Sequence, residues 1–376
     1  MGTSGEGAKP GDSASVLIVG GGLAGLTLAN YLARQGREPL IVERADEWRD
    51  GGYGIGLWTD GIAVLDELGR LDAVRERAAD PETVAVRSAD RGSLARATVP
   101  DDETLLLAVH RGDLHAALRE PVPEEQVRMG TSPDRIDEQA DGVEVTFDDG
   151  SSGTFDLVVG ADGVGSTVRE QCFTDWRLHE RDTYVWSLWA PQDVRLGSDM
   201  VSVWGPGSEG FVARVGDRVG FNLAARLDAP PGSPRDELRR QAARIGWTLP
   251  DLLDGADDEP FFDRVREVDC ASWHTDRVAL IGDAAHAVHP ISGMGASLAL
   301  RDARVLAQEL ATGYPPGALA AFEQRRRGDV RRVKRAARFE SAATFVESST
   351  LRRLRDGLVE HTPLFEWFLR RRTGEN

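Results

Sequence analysis

Residues 15–34 read Ser15-Val-Leu-Ile-Val-Gly20-Gly-Gly22-Leu-Ala-Gly25-Leu-Thr-Leu-Ala-Asn-Tyr-Leu-Ala-Arg34. The first apolar run is typical of a buried parallel strand, and the apolar residues after Gly25 recur at helical spacing. In the pattern G-x-G-x-x-G, the first glycine permits a tight turn, the second lets a pyrophosphate approach and the third lets helix pack on strand. The stretch therefore predicts a dinucleotide-binding unit whose helix N-terminus faces the phosphates.

A second strand is predicted over residues 38–42, and it ends at Glu43, which lies 18 residues after Gly25. This spacing is typical of a carboxylate that binds a ribose hydroxyl. Leu23 and Ala24 at the start of the helix, and Arg44 beside Glu43, complete the candidate nucleotide site. These residues alone leave open whether the dinucleotide is NAD, NADP or FAD.

The composition is that of a globular protein with two or three domains, because 41% of the 376 residues are apolar and 28% are charged. No apolar run reaches the roughly 18 residues of a membrane span, and the net charge of −17 argues against nucleic-acid binding. Lys9 and Lys334 are the only lysines among 45 basic residues. An acidic, lysine-poor chain suggests adaptation to high salt, whereas the codon bias of a GC-rich genome would explain only the arginines.

The chain termini and the cysteines bear on localisation. Residues 1–13 are polar and glycine-rich, so we predict a disordered tail without the apolar segment of a signal peptide. Cys172 and Cys270 are too few for a disulfide framework, which favours a reducing cytoplasm. The arginine-rich C-terminal helices are expected to lie against the predicted nucleotide-binding domain rather than on a membrane, because anionic lipid repels an acidic protein.

Two further motifs place an acid after a predicted strand. Asp162-Gly163 follows a strand predicted over residues 154–160, and Asp283 follows one predicted over residues 278–281. Asp283 is placed to accept hydrogen bonds from a polyol such as a ribityl chain. A loop with Pro290, Gly293 and Gly295 then leads into a helix whose dipole favours negative charge at its start.

Arg111 and two histidines admit more than one interpretation. Arg111 comes just before a predicted helix and, taken alone, reads as a surface arginine; its position between the motifs makes it a candidate for cofactor binding. His286 and His289 invite a metal site, but no third ligand is suggested nearby, and a catalytic zinc normally needs three protein ligands. We therefore predict no metal.

Taken together, the three motifs resemble those of the class A flavoprotein monooxygenases, the para-hydroxybenzoate hydroxylase-like family, over roughly residues 15–330. The resemblance implies an α/β fold: an FAD-binding Rossmann-like domain of the glutathione reductase type, an inserted antiparallel or mixed β-sheet substrate domain, and C-terminal helices. The implied FAD-binding residues are Gly20, Gly22, Leu23, Ala24, Gly25, Glu43, Arg44, Arg111, Asp162, Gly163, Asp283, Pro290, Gly293, Gly295 and Ala296. Ser297 stands where many relatives carry Asn, a difference expected to alter contacts near the flavin ring slightly.

The predicted domains alternate along the chain. We assign residues 14–80, 109–180 and 268–330 to the FAD-binding domain. Residues 81–108 and 181–267 form the substrate-binding domain, and residues 331–376 form C-terminal helices. Candidate substrate contacts are Tyr184, Trp186, Trp204, Phe211, Arg214, Phe221 and Asn222. For each aromatic residue, a place in the core of the sheet is the alternative.

The resemblance implies an enzyme that binds FAD non-covalently and uses NAD(P)H as a transient electron donor. It would hydroxylate a small aromatic or electron-rich molecule with O2 through a flavin hydroperoxide, with no catalytic base assigned, as a monomer or homodimer. One alternative is a flavin-dependent reductase or desaturase of the geranylgeranyl reductase type. Others are a halogenase, which would need a lysine between flavin and substrate, and a non-catalytic flavin-binding protein.

Overall fold

The computed structural model describes residues 15–48, 51–99, 104, 106–190, 195–216, 218–254, 256, 259–363 and 365. The predicted disordered tail, residues 1–13, lies outside the described residues, as do residues 366–376 of the predicted C-terminal helices.

The strands of the described chain are β1 (Val16–Val19), β2 (Leu40–Val42), β3 (Gly54–Trp58), β4 (Thr83–Ser88), β5 (Gly92–Thr98), β6 (Leu106–His110), β7 (Val127–Arg128), β8 (Pro133–Glu138), β9 (Val143–Phe147), β10 (Ser152–Phe155), β11 (Leu157–Gly160), β12 (Trp176–Ala190), β13 (Met200–Gly205), β14 (Ser208–Val215), β15 (Arg218–Arg226), β16 (Phe261–Cys270) and β17 (Val278–Leu280). The α-helices are α1 (Leu23–Arg34), α2 (Thr59–Glu67), α3 (Leu71–Arg75), α4 (Arg111–Arg119), α5 (Thr167–Cys172), α6 (Pro234–Ile245), α7 (Leu249–Asp254), α8 (Asp283–His286), α9 (Gly295–Glu309), α10 (Ala318–Thr344) and α11 (Ser349–His361).

A five-stranded parallel sheet in the order β17-β11-β1-β2-β7 contains the three strands that precede the predicted glycine–acid turns, β1, β11 and β17. Its central strand β1 is buried along its whole length, as the apolar run predicted. The strand predicted over residues 154–160 is divided at Asp156, so that β10 joins a small antiparallel sheet and β11 joins β1. The side chain of Asp156 accepts a hydrogen bond from the Ser15 backbone N–H at 2.7 Å, next to this division.

The second large sheet has seven strands in the order β16-β12-β15-β14-β13-β4-β5. It is mixed, because β4 runs parallel to β13 while the other neighbours are antiparallel. One face packs against α6 and α7 in a continuous apolar core. The predicted α/β class, with a parallel sheet and an inserted mixed sheet, is confirmed; the division into domains by residue remains a proposal.

Two elements cross the proposed domain boundaries. Strand β6 pairs with β3 in a separate two-stranded sheet instead of joining the large mixed sheet. Helix α10 is 27 residues long and begins well before residue 331. Within the described residues, no helix is long and apolar enough to cross a membrane.

The contact between α1 and the end of β1 leaves no room for a side chain. A Cβ added to Gly25 would lie 2.0 Å from the carbonyl oxygen of Gly20. Gly20 itself has a φ of +108°, and its Cβ would lie 2.5 Å from the carbonyl oxygen of Ala161. The roles predicted for these two glycines, close packing and a tight turn, therefore follow directly from the backbone geometry.

We predict that Gly25→Ala lowers the free energy of unfolding by about 3 kcal/mol, because α1 must move away from the backbone of Gly20. The matched control is Gly328→Ala in the middle of α10, where a Cβ would meet nothing within 4 Å. There the substitution should stabilise the protein by about 0.5–1 kcal/mol, because alanine favours the helix. Denaturant unfolding of both variants checks this, and equal stability of Gly25→Ala and wild type would contradict it.

Candidate active site

The three predicted turns lie side by side at the carboxyl edge of the parallel sheet. The Gly20 N–H donates to the Val42 carbonyl at 2.8 Å, and the Ala161 N–H donates to the Val19 carbonyl at 2.7 Å. The Ile281 N–H donates to the Gly160 carbonyl at 3.0 Å. Because neighbouring parallel strands end at the same edge, motifs far apart in sequence meet at one cleft.

The first turn is held from both sides. The Gly21 N–H donates to the Glu43 carboxylate at 2.9 Å, and its carbonyl lies 2.8 Å from His115 Nε2 on α4. A Cβ at Gly22 would meet nothing within 4 Å, so the backbone there is open to a ligand. His115 was not predicted from the sequence; its position one helical turn after Arg111 was the available signal. Arg44 is exposed beyond β2.

The two acids of the predicted motifs, Asp162 and Asp283, differ in what their side chains contact. Asp162 Oδ2 accepts a hydrogen bond from the Val168 N–H at 3.1 Å at the start of α5, and burial raises the pKa of Asp162. Asp283 begins α8 and opens into the cleft, where removal from bulk water raises the pKa of its carboxyl group. The charge of His286 opposes this shift. Asp283 therefore presents its carboxyl group to whatever fills the cleft.

A buried carboxylate, Asp302 on α9, fixes the turn that carries Asp283. Its Oδ2 accepts from the Gly282 N–H at 2.9 Å and lies 2.5 Å from His286 Nε2, while Oδ1 accepts from Arg326 Nε at 2.8 Å. Burial alone would raise the pKa of Asp302, but the charges of His286 and Arg326 outweigh it and lower the pKa to about 2. The sequence motif contains Asp302, yet only the structure shows this positioning role.

A cavity of about 920 Å³ extends from these turns to the mixed sheet. The predicted cofactor residues that line it are Gly22, Leu23, Ala24, Arg111, Gly163, Asp283, Pro290, Gly293, Gly295 and Ala296. Gly20, Gly25, Glu43, Arg44 and Asp162 are not among the residues that line it. Ser297 is buried and accepts a hydrogen bond from the Trp58 N–H at 3.0 Å, so it joins α9 to β3.

Cross-strand pairing aligns the side chains that share one face of the mixed sheet. The strand register aligns Ser187, Asn222, Phe211 and Ser202 in one row across β12, β15, β14 and β13. A second row comprises Asp263, Val185, Ala224, Glu209 and Trp204. Residues of both rows line the cavity. The candidates Trp204, Phe211 and Asn222 therefore remain in the proposed substrate site.

The other four substrate candidates belong to the opposite face. Tyr184, Trp186 and Phe221 lie in the apolar core beneath α6 and α7, and the Trp186 indole donates to the Pro234 carbonyl at 2.9 Å. Arg214 alternates with the cavity-lining residues Ala213 and Val215 and does not line the cavity. Because successive side chains of a strand point to opposite faces, these four residues are withdrawn from the substrate site.

Lys334, one of the chain's two lysines, lies outside the cavity. Its Nζ donates to the Val268 carbonyl and, at 2.6 Å, to Asp269 on β16. It is therefore a structural lysine that joins α10 to β16. Lys9, the other lysine, lies outside the described residues.

The fold and the three glycine-rich turns are those of an FAD-binding protein, and its relatives include flavin-dependent monooxygenases, so the protein is a class A flavoprotein monooxygenase. The chain belongs to the FAD binding domain family, whose model matches residues 13–337.

Individual relatives extend this similarity over most of the chain. The chain is 33% identical over 335 residues to the 2-heptyl-3-hydroxy-4(1H)-quinolone synthase of Pseudomonas aeruginosa, covering 85% of this chain and 87% of the relative. It is 31% identical over 364 residues to a 3-amino-4-hydroxybenzoate 2-monooxygenase of Streptomyces platensis, covering 91% of each chain. The fold is similar to that of Klebsiella pneumoniae HpxO, solved with FAD and uric acid, with a TM-score of 0.86, 23% identity and 96% of each chain covered.

We predict that Asp302→Asn lowers the free energy of unfolding by about 3 kcal/mol, because it removes one of the two carboxylates that pair with the buried Arg326 and leaves only Asp329. It should also weaken FAD binding, since the Gly282–Asp283 turn loses its anchor. Glu309→Gln, which breaks the solvent-accessible pair between Glu309 on α9 and Arg325 on α10, should cost less than about 1 kcal/mol. Denaturant unfolding and FAD titration measure both effects; equal costs for the two variants would disprove the role of Asp302.

The lowered pKa of Asp302 predicts that its contribution to stability depends on pH. A folded-state pKa of about 2, below the unfolded value of about 3.9, means that its stabilisation is present above about pH 4. The stability difference between wild type and Asp302→Asn should therefore shrink as the pH falls from about 4 towards 2. Urea unfolding at several acidic pH values tests this, and a difference that widens on acidification would contradict it.

Proposed function

We propose that the protein uses NAD(P)H and O2 to hydroxylate a small, electron-rich aromatic molecule. The observation that carries this proposal is the continuous cavity between the glycine-rich turns and one face of the mixed sheet. Its volume of about 920 Å³ is large enough to receive a cofactor and a small substrate together. One wall would then hold the cofactor and the other would hold the substrate.

The residues of the cleft fit FAD. Gly22, Gly163 and Gly295 each leave open space where another residue would carry a Cβ, so a ligand can approach the backbone closely. Asp283 would accept hydrogen bonds from the ribityl hydroxyls, and Glu43 would bind the ribose near the first turn. The chemistry that FAD supplies when bound is acceptance of a hydride and activation of dioxygen.

The protein's contribution would be orientation, electrostatics and exclusion of water. The N-terminus of α9 opens on the cavity at Gly295 and has no acidic residue in its first turn, so its dipole favours negative charge on the bound cofactor. Phe211 and Trp204 offer aromatic surface on the opposite wall, and Asn222 offers a polar group. The mainly apolar lining would keep water away from the reacting atoms.

NAD(P)H would bind transiently, whereas FAD would stay bound. The sequence carries a single dinucleotide fingerprint, at Gly20, Gly22 and Gly25, and the resemblance to class A enzymes assigns that site to FAD. The names of the relatives support an aromatic substrate, because a quinolone and an aminohydroxybenzoate are both substituted rings. We expect an oxygen- or nitrogen-substituted ring here.

We expect FAD-loaded protein to consume NAD(P)H faster when it is offered a panel of hydroxylated and amino-substituted aromatic acids and quinolones. The product formed under ¹⁸O₂ should be 2 mass units heavier than that formed under ordinary oxygen, because one oxygen atom enters the ring. Mass spectrometry of the products measures this. A hydrogenated product without label would instead support the reductase alternative, and a flavin that NAD(P)H never bleaches would support a non-catalytic flavoprotein.

Phe211 and Phe221 form a matched pair on adjacent strands. Phe211→Leu should weaken ligand binding to the holoenzyme severalfold with little loss of stability, because its ring lines the cavity. Phe221→Leu should cost about 1–2 kcal/mol of stability and leave ligand affinity nearly unchanged, because its ring lies in the core on the other face. Ligand titration monitored by flavin absorbance, together with denaturant unfolding, checks both, and reversed effects would refute the assignment of faces.

A further inference from the structure

His289 is a buried side chain on the cavity wall for which the proposed function has no role so far. It directly precedes Pro290, in the loop between α8 and α9, and only 5% of its surface is exposed. It lines the cavity beside Pro290 and Gly293. Its ring lies 6.1 Å from that of Phe345, the residue after α10, so one side of the imidazole is covered by an apolar neighbour.

The hydrogen bonds of His289 fix the position of its proton. The Ile291 backbone N–H donates to Nδ1 at 3.2 Å, so Nδ1 is an acceptor and must be unprotonated. In the neutral ring the proton then lies on Nε2, which becomes a hydrogen-bond donor. Among the residues that the structure describes, none accepts a hydrogen bond from this Nε2–H. Because the ring lines the cavity, the Nε2–H is available to an acceptor there.

The surroundings keep this imidazole uncharged. Burial lowers the pKa of His289 to about 4, and the nearby Arg181 and Arg226 also lower it, against the opposing effects of Glu267 and Asp182. These charged groups are already paired with one another: Arg181 with Glu267 at 2.6 Å and Arg226 with Asp182 at 3.9 Å. His289 therefore remains a neutral N–H donor at neutral pH.

We propose that His289 Nε2–H binds an acceptor oxygen on the aromatic substrate, a ring carbonyl or a phenolate. The inference rests on the proposed function and narrows its substrate class to rings that carry such an oxygen. A neutral imidazole suits this task because it can hold the oxygen without transferring a proton to it. The electron density that the oxygen donates to the ring is then largely retained, as attack on an electrophilic oxygen atom requires.

Two substitutions test the roles of the two ring nitrogens of His289 separately. In His289→Asn, the side-chain oxygen can replace Nδ1 as the acceptor for the Ile291 N–H, while the Nε2 donor is lost. In His289→Gln, the longer side chain can place an amide N–H near the position of Nε2. If the loop folds and FAD binds as in wild type in both variants, the donor role of Nε2–H is tested apart from the structural role of Nδ1.

The test measures dissociation constants on the holoenzyme from ligand-induced changes in flavin absorbance. The probes are 3-amino-4-hydroxybenzoate and 4(1H)-quinolone. Each is compared with an analogue that lacks the oxygen substituent on the ring: 3-aminobenzoate for the first probe and quinoline for the second. We expect His289→Asn to raise the dissociation constants of the two oxygen-bearing probes about tenfold, the effect of one lost hydrogen bond. The analogues should bind both proteins equally, and His289→Gln should recover part of the affinity.

The other outcomes each overturn a defined statement. If wild type and His289→Asn bind the oxygen-bearing probes with equal affinity, the role of His289 is overturned and the proposed function stands. The same follows if His289→Asn loses equal affinity for the probes and for the analogues. An altered flavin spectrum in ligand-free His289→Asn would overturn it by assigning the donor to the cofactor. A wild-type holoenzyme that binds neither oxygen-bearing probe would count against the proposed substrate class and, with it, this inference.

Discussion

A buried carboxylate connects the parts of this molecule on which the cleft depends. Asp302 is fully buried, and it accepts hydrogen bonds from the turn after β17, from His286 on α8 and from Arg326 on α10. A carboxylate in such a place is tolerated only because every partner is present, since an unpaired buried charge is strongly destabilising. The position of Asp283 in the cleft follows from this network.

The mixed sheet serves two purposes with its two faces. One face closes a core with α6 and α7, built from side chains such as Trp186 and Phe221. The other face carries aromatic and polar residues towards the parallel sheet, where the glycine-rich turns lie. Stability and recognition are thus separated by the alternation of side chains along each strand, so that residues one position apart can differ entirely in role.

The loop between α8 and α9 combines a structural and a recognition function in one residue. Nδ1 of His289 accepts a hydrogen bond from the start of the short helical turn Pro290–Ser292, and this contact fixes the tautomer. The second nitrogen is thereby committed as a donor facing the cavity. Pro290, Gly293 and Gly295 line the same wall of the cavity. A change in this loop would therefore affect the binding of both cofactor and substrate.

The sequence by itself determined the parallel sheet, its three turns and the flavoprotein class, because strand, glycine turn and helix are encoded in short contiguous stretches. It also placed Tyr184 and Trp186 in the predicted substrate domain as candidate substrate contacts. It could not decide which face meets the cleft, because that depends on where α6 and α7 pack. The roles of Asp302, His115 and His289 likewise emerged only from the tertiary structure, since each depends on a hydrogen-bond partner or a cavity that chain folding brings to it.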